Sequence, residues 1–264
     1  MITIRSADEI ARLEQASRVV LETLDVLEKA VAPGVTTEEL DRIAADEIRR
    51  RNARPAFLNY RGFPNTICTS INDEVVHGIP GKRSLKEGDI VGIDCGAVVE
   101  GYYGDAARTL PVGKLDAARA KLLEVTRGAL GAGIAAARPG GRVSDIGAAV
   151  EAVAVAHGYG VVREFVGHGV GTALHEEPQI PNYGPAGRGS TLRPGMVIAI
   201  EPMFNLGTGE VTVDRDGWTV RTRDRSPSAH FEYTVAIGPA GPVVLGMGRS
   251  AASFGVREAA AVPA

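Results

Sequence analysis

One order of elements is written twice along this 264-residue chain, and that repetition limits its fold more than any other feature. In the first half, VAPGVTTEELDRIAADEI is followed by VVHGIPG with His77, then by LKEGDIVGID ending at Asp94. In the second half, AARPGGRVSDIGAAVEAV is followed by VGHGVG with His168, then by LRPGMVIAIE ending at Glu201. The pattern predicts two related halves, about 7–113 and 114–246, packed about a pseudo-two-fold within one domain spanning residues 1–264. Each half is a helix pair followed by an antiparallel strand pair, so the fold class is α+β. A pseudo-two-fold brings both strand ends, and both acids, to one shared central site.

Local signals place the helices. Ser6 with Glu9 three positions on is a capping box, so a helix runs from there to about Ala32, where Pro33-Gly34 stops it. Thr36 and Glu39 cap a second helix, whose Leu40, Ile43, Ala44 and Ile48 form one apolar face. Ala117 to Ala137 reads as a third helix, stopped by Pro139-Gly140, and a fourth runs from about Val143 to His157-Gly158.

The stretch from Leu85 to Gly113 reads as a β-hairpin. DIVGIDCGAVV and YYGDAARTLPV are β-branched, apolar runs on either side of Glu100-Gly101. A two-residue turn there places Val99 opposite Tyr102 and Gly96 opposite Asp105, with Asp94 diagonal to Asp105 on the same face. Two carboxylates on a buried face repel and lose hydration, at a cost of several kcal/mol per ion. A divalent cation between them offsets that cost, and Gly96 and Gly104 are expected to leave it room. The plainer alternative is that one Asp caps a turn and the other pairs with Arg108.

The second half supplies more donors of the same kind: His168, Glu201, and Glu232 within the apolar run AHFEYTVAI. One imidazole and four carboxylates make a hard, oxygen-rich set that suits two ions sharing bridging carboxylates. Mn, Fe, Co and Zn are all compatible. In such centres a water loses a proton near neutral pH and becomes a hydrolytic nucleophile. His175 follows His168 by seven positions, which along a strand puts them on opposite faces and in different roles. His77, in a comparable glycine-bounded loop, has the same reach. His230, two before Glu232, shares its face if the strand extends that far. His157 reads as a structural helix end.

Composition narrows the rest. Hydrophobic content of 44% is ample for a core, and a net charge of −3 is too small to imply a nucleic-acid partner such as DNA. Arg49, Arg50, Arg51 and Arg54 form the one basic cluster; as helix-end charges they complement the macrodipole, and RNA contact is the alternative. Cys68 and Cys95 do not make a disulfide framework, which fits a reducing compartment. MITIRSADEIARLEQ is too charged for a signal peptide, and no segment is apolar enough to span a membrane. A cytoplasmic protein follows as the expectation. HExxH, GxSxG and Walker spacings are missing, which removes those hydrolase and nucleotide-binding chemistries.

With these residues in view, the chain closely resembles the bacterial type I methionine aminopeptidases, whose fold is called pita-bread. The motifs that carry the resemblance are NYRGFPNTICTSINDEVVHGIP, GDIVGIDCG, GYYGDAARTLPVG, GHGVGTALHEEPQIPNYG, LRPGMVIAIEPMF and the last strand with Glu232. The resemblance implies removal of the initiator methionine from nascent polypeptides whose second residue is small, by a metal-bridging water attacking the scissile carbonyl. It implies two divalent ions per chain, with Asp105 and Glu232 bridging, Asp94 completing one site, and His168 and Glu201 the other. Glu201 is then the proton acceptor, His175 stabilises the tetrahedral intermediate, and His77 contacts the substrate near the scissile nitrogen. The methionine pocket involves Tyr60, Phe63, Cys68 and Trp218, with Phe57 and Leu174 at its edges. Partners implied are peptide N-termini, with transient ribosome association, for a protein acting as a monomer without DNA or membrane contact. Leu174, His230 and Tyr233 depart from the residues relatives often carry, Phe, Gln and His. The alternatives are another pita-bread hydrolase acting on Xaa-Pro peptides, or a binding module of this fold without catalysis. The end of the chain, from about residue 250 to 264 and including GVREAAAVPA, reads as a flexible tail.

Overall fold

The structure is a computed structural model that describes residues 1–247 and the backbone of 249–250; the tail from 251 onward lies outside the described residues. Helix α1 (Ala7–Ala30) starts at a capping box, in which the Ser6 side chain accepts from Glu9 N and Glu9 accepts from Ser6 N. Helix α2 (Thr37–Arg50) starts the same way, from Thr36 and Glu39. Their apolar stripes, Val20, Leu24 and Leu27 on α1 and Leu40, Ala44 and Ile48 on α2, are buried in the core of the first half.

Strands β1 (Arg54–Pro55), β2 (Ile67–Ile71) and β3 (Glu74–Val76) lead to the long hairpin of β4 (Ile90–Val99) and β5 (Tyr102–Pro111). Glu100 and Gly101 both have positive φ, 49° and 85°, the type I′ condition for a two-residue turn. Val99 therefore pairs with Tyr102 and Gly96 with Asp105, the register read from the sequence.

The second half repeats the plan with α3 (Ala117–Ala136), capped by Asp116, and α4 (Val143–His157), ended by Gly158 at φ 70°. Short strands follow: β6 (Gly160–Val161), β7 (Gly167–Gly169), β8 (Glu176–Ile180), β9 (Val197–Ile200) and β10 (Met203–Asn205). Then come β11 (Val211–Val213), β12 (Val220–Thr222), β13 (Ser228–His230), β14 (Glu232–Gly238) and β15 (Gly241–Val244). A second apolar core forms between α3, α4 and these strands.

The main sheet runs β1-β4-β5-β14-β9-β7-β8, antiparallel throughout. At its middle the first half's β4-β5 meets the second half's β14-β9. That central seam carries ladder pairs only at Glu232 with Ala107 and Tyr233 with Ala106. Threonine hydroxyls extend it on both sides. Thr234 Oγ1 donates to Asp105 O at 2.8 Å and accepts from Asp105 N, while Thr109 Oγ1 donates to His230 O at 2.8 Å and accepts from His230 N. Each hydroxyl thus satisfies two backbone groups that the short ladder leaves over.

The glycines of the hairpin do a different job from the one expected. A Cβ on Gly96 would lie 2.6 Å from the Phe57 ring and 2.8 Å from Ala56, and one on Gly104 would lie 2.5 Å from Ser17 N in α1. They admit neighbouring protein rather than an ion. No helix of the described residues is long and apolar enough to cross a membrane.

Candidate active site

Five side chains expected to hold metal reach one pocket from both halves of the sheet. Asp94 comes from β4, Asp105 from β5, His168 from β7 and Glu232 from the start of β14, while Glu201 directly follows β9. His168 Nε2 lies 3.9 Å from Asp105 Oδ2 and 3.6 Å from Glu201 Oε1. One donor atom each from Asp105, His168 and Glu232 falls within 4.8 Å of the others. The floor is nearly dry: Asp105 and Glu232 are 5% and 2% exposed.

No Arg or Lys forms an ion pair with these acids among the described residues. Arg108, the alternative partner for an Asp of the hairpin, instead pairs with Asp25 at 2.6 Å and with Glu28. Buried oxygens of Asp94, Asp105 and Glu232 lack any hydrogen-bond partner. Burial, together with the neighbouring carboxylates, pushes Asp105 and Glu232 well above the usual carboxylate range. Asp94 rises to about 7 through burial, and Glu201 to about 8 through burial and then Asp94. Orphaned, crowded carboxylates with an imidazole at van der Waals range are the donor set of a hard divalent cation, so the residues present fit the group.

Above this floor is a cavity of about 130 Å³ whose walls include Phe57, Phe63, Cys68, Leu174 and Trp218. Phe63 meets Trp218 edge to face, with ring centroids 5.1 Å apart. Tyr60 stands at one side, its hydroxyl 2.9 Å from His175 Nδ1 and its ring stacked on that imidazole. His77, at φ 60°, approaches Trp218 and Phe165 edge to face. Burial drives the His77 pKa down to about 4, so its ring is neutral at physiological pH. His175 is lowered by desolvation first and by His168 second.

His168 and His175 do not sit on opposite faces as expected. The chain folds back between β7 and β8, and their rings lie 4.1 Å apart. Glu176 holds that fold-back, accepting from Thr172 N at 2.9 Å and Ala173 N at 3.2 Å, and it binds the buried Arg5 at 2.6 Å. Neither Arg5 nor Glu176 stood out in the sequence, because their partnership joins positions 171 residues apart. Arg61 was also missed: it lines the pocket with its guanidinium over the Tyr60 ring. The left-handed backbone at Asn59 (φ 65°) and Arg61 (φ 51°) was its only local signal, from the turn-forming NYRG.

The basic cluster at the end of α2 is largely neutralised within its own element. Arg49 pairs with Asp46 at 3.0 Å, while Arg50 and Arg51 both bind the buried Glu47, and Arg51 also reaches Glu22. Cys68 and Cys95 are free and buried.

Comparison with known proteins agrees with this geometry. The model of metallopeptidase family M24 matches residues 11–239. A methionine aminopeptidase of Clostridium acetobutylicum is 51% identical over 93% of this chain and 98% of its own. Methionine aminopeptidase 1 of Bacillus subtilis is 48% identical over 93% and 99%. The crystal structure of methionine aminopeptidase from Rickettsia prowazekii superposes with a TM-score of 0.92 at 43% identity, covering 94% of this chain and all of that one. A prolidase from Pyrococcus furiosus, 24% identical with a TM-score of 0.74, shares the fold, and this chain spans 66% of it. The crowded acids, the apolar pocket above them and these full-length likenesses lead to one assignment: the chain belongs to metallopeptidase family M24, among its bacterial methionine aminopeptidases.

Proposed function

We propose that the chain removes the initiator methionine from new polypeptides whose second residue is small, using two divalent ions held by Asp94, Asp105, His168, Glu201 and Glu232. The observation that carries the reading is the pairing of a small cavity walled by Phe57, Phe63, Leu174 and Trp218 with a floor of buried acids. The cavity takes one uncharged side chain, and a thioether suits its aromatic and sulfur walls. A floor of carboxylates attracts a free N-terminal amine, which an internal peptide segment lacks. When bound, the ions supply an acidified water and a Lewis acid for the scissile carbonyl.

The chain's own residues do the rest. Glu201, directly after β9 on the floor of the pocket, takes a proton from the attacking water and returns it to the leaving amine. The Tyr60 hydroxyl lies 2.9 Å from His175 Nδ1, and in the tautomer whose Nδ1 accepts that bond the Nε2–H faces the oxyanion of the tetrahedral intermediate. His77, neutral and confined by Trp218 and Phe165, donates near the scissile nitrogen. Tyr60, Phe63, Cys68 and Trp218 enclose the methionine side chain. The same reading places the protein in the cytoplasm as a monomer, with transient contact to the ribosome; the free buried cysteines suit that compartment.

The test strips the protein of metal, restores Mn, Fe, Co or Zn in turn, and measures release of the first residue from Met-Ala-Ser and from Ala-Pro peptides. Release of methionine with one or more metals is the expected result. Preference for the proline peptide would replace this reading with a prolidase-like one, and inactivity with every metal would favour a binding module.

A further inference from the structure

The proposed ligand set leaves one buried imidazole without an occupation. His230 ends β13, is 4% exposed, and its Nε2 has no hydrogen-bond partner. That atom faces the floor of the pocket. It lies 3.8 Å from Glu201 Oε2 and 3.9 Å from Glu232 Oε2. Both separations exceed hydrogen-bond range, so His230 is not steering either carboxylate by a direct bond. An apolar or satisfied environment does not explain the orientation either, because a ring nitrogen buried without a partner costs about 1–3 kcal/mol.

The geometry matches that of the neighbouring histidine. His168 Nε2 stands 3.9 Å from Asp105 Oδ2 and 3.6 Å from Glu201 Oε1. Each imidazole therefore faces two carboxylates at nearly equal distance, and the two oxygens of Glu201 point to different histidines. Donor atoms about 2.1 Å from a shared ion stand about 3–4 Å from one another, so both triangles have the size of a coordination gap.

Backbone contacts fix His230 in that pose. Its N–H donates to Thr109 Oγ1 and its carbonyl accepts from the same hydroxyl, a double tether to β5, the strand that carries Asp105. Phe231 separates it from Glu232, so both side chains leave the same face of the strand.

We propose that His230 Nε2 is a direct ligand of the metal centre, making Glu201 a carboxylate shared between two imidazoles. The centre then has two nitrogens and four carboxylates, which moves its preference away from the hardest cations and towards cobalt, iron and zinc. This rests on the metal-dependent reading above and adds a donor to it.

The test reads coordination rather than turnover. Wild-type protein, His168→Gln and His230→Gln, stripped with EDTA and reloaded with cobalt(II), are compared by paramagnetic proton NMR with ¹⁵N-labelled histidine. Each coordinated imidazole gives one far-shifted, exchangeable N–H signal. Wild type should show two such signals and each variant one, with the His230→Gln change weakening cobalt binding by about tenfold or more in calorimetry. A single wild-type signal that vanishes only in His168→Gln would overturn the assignment while leaving the aminopeptidase reading intact. Absence of any bound cobalt in wild type would overturn both. Because the wild-type spectrum alone decides the count, a variant that fails to fold does not block the answer.

Discussion

Replacing Asp94 by Asn should make the metal-free protein more stable at pH 8, although it removes a proposed ligand. In the folded chain burial raises the Asp94 carboxyl from 3.8 to about 7. A group raised in this way contributes fully below its unfolded pKa, near 3.8, and loses that contribution as pH climbs through about 7. A rise of that size corresponds to about 4 kcal/mol, a ceiling, since Asp105 and Glu232 stay crowded and the new amide needs partners of its own. The expected gain for Asp94→Asn is about 2–4 kcal/mol at pH 8, a rise of roughly 4–8 °C in unfolding midpoint for a chain of this size. At pH 4 the difference should shrink to within about 1 kcal/mol, because the folded wild-type carboxyl is then protonated and the pH lies only just above the unfolded pKa near 3.8. Urea denaturation of EDTA-treated protein at both pH values measures it. Restoring metal should reverse the order, since a ligand at 100 times its Kd adds about 2.7 kcal/mol to whichever protein binds it. If metal-free Asp94→Asn is no more stable than wild type at pH 8, the electrostatic account of the site is wrong.

Gly104→Ala should lower unfolding stability by about 3 kcal/mol or more in chemical denaturation, because its Cβ meets the backbone of α1 at 2.5 Å and backbone cannot swing aside. Arg5→Met should cost about 3 kcal/mol by stranding Glu176, and hydrogen exchange should quicken selectively at the Thr172 and Ala173 amides. His175→Ala should reduce kcat by about a hundredfold with KM and metal content little changed, as expected for a group that meets only the intermediate. Loss of metal in that variant would mean that the 4.1 Å contact with His168 supports ligation instead.

Much of this site was legible because acids inside apolar runs contradict their surroundings. Asp94, Asp105 and Glu232 each break a strand pattern, and Glu100-Gly101 fixes the hairpin register locally, with both residues in left-handed backbone. Helix starts were legible for the same reason: the capping boxes at Ser6 and Thr36 need only four consecutive residues. What escaped depends on partners distant in the chain. Gly96 and Gly104 read as vacant space, yet Phe57 and α1 fill it. His168 and His175 read as points on one strand, whereas a glycine-rich fold-back pinned by Arg5 and Glu176 brings them together. Local spacing carries no record of such a reversal.

The thin seam between β5 and β14 also sets an order of events during synthesis. Asp105 and Thr234, bonded to each other across it, are 129 positions apart. The first half can pair its own hairpin as soon as it emerges, but the sheet has no middle until β14 arrives near the end of the chain. Closing so long a loop is slow compared with local pairing. The centre therefore cannot gather its donors gradually; Glu232 is the last of the proposed set to be made, and it lies on the strand that joins the halves. Capture of metal is thereby tied to completion of the sheet, so a truncated or half-folded chain has no assembled centre with which to cut.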